Sequence, residues 1–176
     1  FDLPDNVFKF SDLENLIKDA EKDLAIDQID QIFQLAKSAK TVLDLTDNAG
    51  EIAFDTLLVQ ELKNIGVYVT VAVKDDTILN DALLEDAIAV GMDNVADIII
   101  STGSDSVGLF PEDCSREFVD IYNSVDFVVA KGMGYAETLT ELKLPVPHAL
   151  LLRSKCRTVA NHFRVPIGKN IATILR

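Results

Sequence analysis

At 176 residues, 48% of them hydrophobic and 26% charged, the chain is long enough to bury one substantial core and fits a globular protein. Its 29 acidic against 16 basic residues give a net charge of −13, which repels a polyanion and excludes nucleic acid as an expected partner. No run approaches the roughly 18 apolar residues that a membrane span needs, so no membrane partner is expected either. The opening FDLPDNVFKF has neither the basic start nor the apolar run of a signal peptide, and Phe1 implies that something upstream has been removed. Cys114 and Cys156 have no CxxC spacing, which suits reduced thiols and a cytoplasmic location.

Residues 1–40 predict a helical lead-in of two amphipathic helices. Leu13, Leu16, Ile17 and Ala20 recur at helical spacing, as do Ile29, Ile32, Phe33, Leu35 and Ala36, and Ser11 with Glu14 fits a capping box. From Thr41 the pattern changes to short apolar runs, TVLDLT (41–46), VYVTVAV (67–73), ADIIIS (96–101), VDFVVA (125–130), HALLL (148–152) and IATIL (171–175). Helix candidates lie between them at about 51–65, 81–91, 112–123, 136–143 and 155–163. This alternation predicts βαβ units. Strands apolar on both faces require helices above and below, so residues 41–176 should form a three-layer α/β sandwich. Its sheet should be mostly parallel, doubly wound and of about six strands.

Ligands of such a sheet bind outside the carboxyl ends of its strands, which turns attention to the loops there. In DNAGE (47–51), Asp47 and Asn48 offer hard oxygens of the kind Mg²⁺ or Mn²⁺ prefers. Gly50 permits close approach of the backbone, and the helix starting near Glu51 presents N–H groups to an anion. Asp47 and Asp81 are equally placed to act as plain helix caps; alternatively Asp81 faces Asp47 and adds a carboxylate. In TGSDSVG (102–108), Ser104 and the backbone provide donors for phosphate oxygens. In KGMGYAE (131–137), Lys131 enters a turn from Gly132 to Gly134 and puts an ammonium at the same rim. Arg153 and Lys155 follow the fifth run. Hard oxygens and cations on one rim describe a metal and phosphate site. His148 and His162 have no HxH or HExxH partner and are expected to be structural.

In order and spacing, DNAGEIAFDTLL, ILNDALLEDA, TGSDSVG, CSREF, KGMGYAE, LLRSKC and VPIG resemble the damage-control phosphatase family, also called Domain of Unknown Function 89, in its small microbial branch. The resemblance implies a phosphatase of small phosphorylated metabolites, often sugar phosphates, working with Mn²⁺, Mg²⁺, Co²⁺ or Ni²⁺. It implies Asp47, Asn48 and Asp81 as metal ligands and Lys155 as the family's lysine near the carboxyl terminus. Two departures stand out: Tyr135 and Ala136 replace the family's Asn and aromatic residue, and most of the family's N-terminal helical domain is missing. The expected mechanism has Lys131 or Lys155 and the Ser104 loop orienting phosphoryl oxygens, with Asp105 or Glu137 as general base. Two rivals remain. VLDLTDNAGE also begins like a motif of S-adenosylmethionine-dependent methyltransferases, although only Gly50 supplies glycine there, and the chain also suits a non-catalytic metabolite-binding domain.

Overall fold

The computed structural model describes residue 20 and residues 22–176. In chain order its elements are β1 (Leu24–Asp27), α1 (Ile29–Ser38), β2 (Thr41–Leu45), α2 (Ile52–Asn64), β3 (Tyr68–Val73) and α3 (Leu84–Ala89). Then come β4 (Ile98–Ser101), α4 (Arg116–Tyr122), β5 (Phe127–Lys131), α5 (Met133–Leu139), β6 (His148–Arg153), α6 (Arg157–Phe163) and β7 (Asn170–Leu175). The seven strands form one sheet in the order β1-β7-β6-β5-β2-β3-β4. Strands β6, β5, β2, β3 and β4 run parallel to their neighbours, whereas β7 runs antiparallel to β6 and carries β1 parallel to itself.

Alternation along the strands divides the interior into two cores. Leu43, Leu45, Ala72, Val128 and Ala130 face Phe118 and Tyr122 of α4, Tyr135 and Leu139 of α5 and Val159 of α6. Val42, Val69, Val71, Val73, Phe127 and Val129 face Ala36 of α1, Ile52, Val59 and Leu62 of α2 and Ala87 of α3. Helices therefore cover both faces, and each fully buried Val, Leu or Ile contributes about 1.5–3 kcal/mol. A charge in such a strand is costly without a partner. Among the described residues the two charged side chains buried within strands, Asp44 of β2 and Lys131 of β5, satisfy that demand by pairing with each other.

The three-layer, mostly parallel architecture is the one expected, with two local differences. The sheet has seven strands because β1, only four residues of alternating exposure, pairs with β7 where the sequence predicts helix alone. The second lead-in helix is present as α1, while the first, with Ser11 and Glu14, lies outside the described residues apart from Ala20. No described helix is long and apolar enough to cross a membrane.

Candidate functional site

From β2 the chain steps to β3 and β4 on one side, then returns to place β5 on the other side of β2. That reversal opens a crevice outside the carboxyl ends of β2 and β5, the usual ligand position in an open α/β sheet. Beyond β2, Thr46 is buried and donates to the Ala72 carbonyl at 2.9 Å, which fixes the exit of the strand. Asn48 then forms an isolated antiparallel bridge with Asp81. The Ala49 N–H donates to the Asn80 carbonyl at 2.8 Å and the Ala82 N–H to the Asp47 carbonyl at 2.7 Å. Two loops distant in sequence are thus clamped so that Asp47, Asn48 and Asp81 share one place.

None of these three residues is a helix cap. Glu51 is the N-cap of α2, and α3 begins after Leu83, whose N–H donates to Asp86 Oδ2 at 2.9 Å. Asn48 Nδ2 donates to Asp47 Oδ2 at 2.9 Å, and Asn48 Oδ1 is the acceptor atom of the same amide. Gly132, after β5, supports Asp47 from beneath. Its φ is +89°, and a Cβ there would overlap the Asp47 carboxylate, so both the conformation and the space require glycine.

A cleft of about 410 Å³ opens over these residues, and Asp47, Asn48, Asp81, Glu51, Glu137 and Lys155 all line it. Burial, then the Glu51 and Asp81 charges, raise the Asp47 pKa to about 6, against the pull of Lys155 and Lys74. Burial also raises Asp81, with Lys74 opposing. Lys155 precedes α6 rather than starting it, since Cys156 is the N-cap, and its N–H donates to Met133 Sδ at 3.3 Å. Arg153 also reaches the cleft, but its Nη1 donates to Asn170 Oδ1 at 3.0 Å and lies 3.6 Å from Asp23. A larger cavity of about 510 Å³ between α1, α2 and the sheet is almost wholly apolar and contains none of the candidate residues.

Four expected site residues lie elsewhere. Lys131 is buried beneath the cleft, where its ammonium pairs with Asp44 and stands 3.4 Å from Asp55 Oδ2, so it does not present a cation at the rim. Ser104 is buried and turns its Oγ to the Ser106 N–H at 3.1 Å, leaving Val107 and Gly108 as the part of that loop on the cleft. Asp105 is exposed and away from the cleft, which leaves Glu137 as the candidate general base on its rim. Gly50 is off the cleft too, and a Cβ on it would meet nothing within 4 Å, so the glycine that a close backbone approach requires here is Gly132.

Sequence reasoning passed over Lys74, which follows β3 directly and is 4% exposed. Its available signal was its place, a lysine at the end of an apolar strand like Lys131. His148 is a packing residue, as expected. Its Nδ1–H donates to the Val146 carbonyl at 2.7 Å and its Nε2 accepts from the Tyr122 hydroxyl at 2.9 Å, the pattern of a neutral imidazole.

The donor set fits a divalent cation. Among the described residues no three His, Cys, Asp or Glu side chains gather into a metal cage, and the converging set here is two carboxylates and one amide oxygen. Hard oxygens at this number suit Mg²⁺ or Mn²⁺ with positions left for water or substrate. The repulsion of the Asp47 carboxylate by Glu51 and Asp81 is what a cation would relieve.

Comparison with known proteins shows the family of the chain. The model of the damage-control phosphatase ARMT1-like domain matches residues 1–171. A protein of Methanocaldococcus jannaschii described as uncharacterized is 40% identical over 164 residues, covering 90% of this chain and 54% of its own length. A damage-control phosphatase of Pyrococcus horikoshii is 37% identical over 171 residues, covering 93% and 59%. One of Archaeoglobus fulgidus is 35% identical over 160 residues, covering 91% and 54%. The crystal structure of a DUF89 family protein from Pyrococcus horikoshii superimposes with a TM-score of 0.87 at 36% identity, over 96% of this chain and 59% of that one. The chain therefore spans little more than half the length of the relatives it matches.

Proposed function

This chain belongs to the damage-control phosphatase ARMT1-like family, and from that premise we propose that it is a metal-dependent phosphatase of small phosphorylated metabolites such as sugar phosphates. The observation that carries the reading is the bridge between Asn48 and Asp81, which gathers Asp47, Asn48 and Asp81 over Gly132 at the switch point of the sheet. These three would hold Mn²⁺, Mg²⁺, Co²⁺ or Ni²⁺, which when bound supplies charge neutralisation for phosphoryl oxygens and acidifies a water. Lys155, which lines the same cleft, pairs with the phosphoryl group, and Glu137 at the rim takes the proton of the attacking water. Gly132 and the amide of Asn48 hold the Asp47 carboxylate in one orientation, so that little reorganisation accompanies reaction.

The test is phosphate release from a panel of phosphate esters with each of the four metals and with chelator. Asp47→Ala and Asp81→Ala should each lower kcat/KM at least about a thousandfold while the protein stays folded. Lys155→Ala should lower it at least about a hundredfold, or roughly 2.7 kcal/mol, with metal affinity nearly unchanged. Release that continues undiminished in chelator or in Asp81→Ala would sink the reading.

A further inference from the structure

Lys74 is a buried cation with no ion-pair partner among the described residues. Its Nζ donates to the carbonyl oxygens of Ser106 at 2.6 Å and Gly108 at 2.7 Å, and it stands 5.1 Å from the centroid of the Tyr135 ring. Its backbone N–H donates to the Ala82 carbonyl at 3.0 Å, next to Asp81. Among the described residues no carboxylate forms an ion pair with it. Two carbonyl dipoles and an aromatic face offset part of the cost of burying an ammonium, and none of them cancels its charge. Burial accordingly pushes its pKa down, while Asp81 is the foremost of the charges holding it up.

The same residue joins two walls of the cleft. Through its backbone it ties the Asp81 segment to the end of β3, and through its side chain it pins the turn whose Val107 and Gly108 also line the cleft. We infer that Lys74 is a positioning residue for the phosphoryl group, fixing the Val107–Gly108 wall and supplying uncancelled positive potential behind Asp81. Its own atoms do not line the cleft, so it acts through the wall and the field. This assignment rests on the phosphatase reading above.

An uncancelled charge here has opposite consequences for anions and cations, and a purely structural lysine does not. Lys74→Gln keeps an N–H donor for one of the two carbonyls and removes the charge. Calorimetry on the folded variant should show inorganic phosphate, at saturating Mn²⁺, bound about tenfold more weakly than by the parent protein. Mn²⁺ itself should bind equally well or a few-fold more tightly, because a repelling cation beside Asp81 and Asp47 is gone. Lys74→Arg should recover part of the phosphate affinity. Unchanged phosphate affinity in Lys74→Gln, or parallel weakening of phosphate and Mn²⁺, would overturn the inference. Should the neutral variants fail to fold, the Lys74 ammonium signal in ¹⁵N-lysine spectra of the parent protein decides: a shift on phosphate addition supports the assignment and an unmoved signal removes it. A parent protein that binds both ions yet releases phosphate from no ester disposes of the phosphatase reading alone; one that binds no phosphate disposes of both.

Discussion

Lys131 ends β5 and Lys74 follows β3, so two lysines leave apolar strands at the same edge of one sheet, yet they enter opposite cores. Lys131 continues the face of Phe127 and Val129 toward α2, where Asp44 and Asp55 receive it. Lys74 falls on the other face, toward α5, where it meets two carbonyls and a tyrosine ring. One ammonium has two carboxylates and the other has none. The difference teaches that a strand-end lysine cannot be assigned to a ligand by position along the chain; the face on which it emerges, and what waits there, decides.

Removing each charge should therefore hurt in different ways, with the largest loss of stability at Lys131. Lys131→Met leaves Asp44 and Asp55 buried without a cation, which should cost about 3–5 kcal/mol and lower Tm by roughly 6–20 °C. Lys74→Met leaves two carbonyl acceptors without a donor and no stranded charge, so its cost should be smaller, about 1–3 kcal/mol. Urea denaturation of both variants measures the contrast. Equal losses would mean that Lys74 has a carboxylate partner after all, and the comparison would fail.

His148 sharpens the contrast because it shows a buried base with hydrogen bonds and no charge to favour its protonation. Burial lowers its pKa to about 4 from 6.5, with the Val146 carbonyl working the other way. The folded value lies below the unfolded one, so the unfolded chain takes up a proton first as pH falls. The His148 contribution is then intact above pH 6.5 and lost progressively down to about pH 4, by roughly 3 kcal/mol. His148→Gln does not titrate, so the difference between the urea stabilities of the two proteins should narrow by that amount from pH 7 to pH 4. A constant difference would show that the folded imidazole takes up its proton at the same pH as the unfolded one.

Much of this was legible in the sequence. The apolar runs marked six of the strands because apolar residues filled both faces, and the polar residues just beyond them marked the loops that line the cleft. The strand β1 was not legible, since LAID is four residues long and half-exposed, too short to show a period. The role of Asp44 was legible in principle: a carboxylate inside TVLDLT must find a cation, and Lys131 is the charge inside the neighbouring strand. What hid the pair was the sheet order, which brings β5 beside β2 only after two intervening strands in sequence. The same order hid Asp55, which joins them from α2.

Asp55 gives the smallest and most discriminating test. Two carboxylates facing one ammonium leave one negative charge in excess, and Asp44 Oδ2 and Asp55 Oδ2 are both buried without a hydrogen-bond partner. Burial raises the Asp55 pKa, and Asp44 and Glu51 raise it further against the pull of Lys131. The folded protein thus keeps a proton on Asp55 at pH values where the unfolded chain, near 3.8, has lost it. The stability this proton confers is full below pH 3.8 and declines as pH rises through the raised folded value. Asn in its place is neutral at every pH and leaves Lys131 matched one to one with Asp44. Asp55→Asn should therefore be near neutral at pH 5 and gain on the parent protein by about 1 kcal/mol by pH 8, read from urea midpoints across that range. A variant that instead loses stability at pH 8 would show Asp55 ionised and needed beside Lys131, and the excess charge would have to be balanced elsewhere in that core.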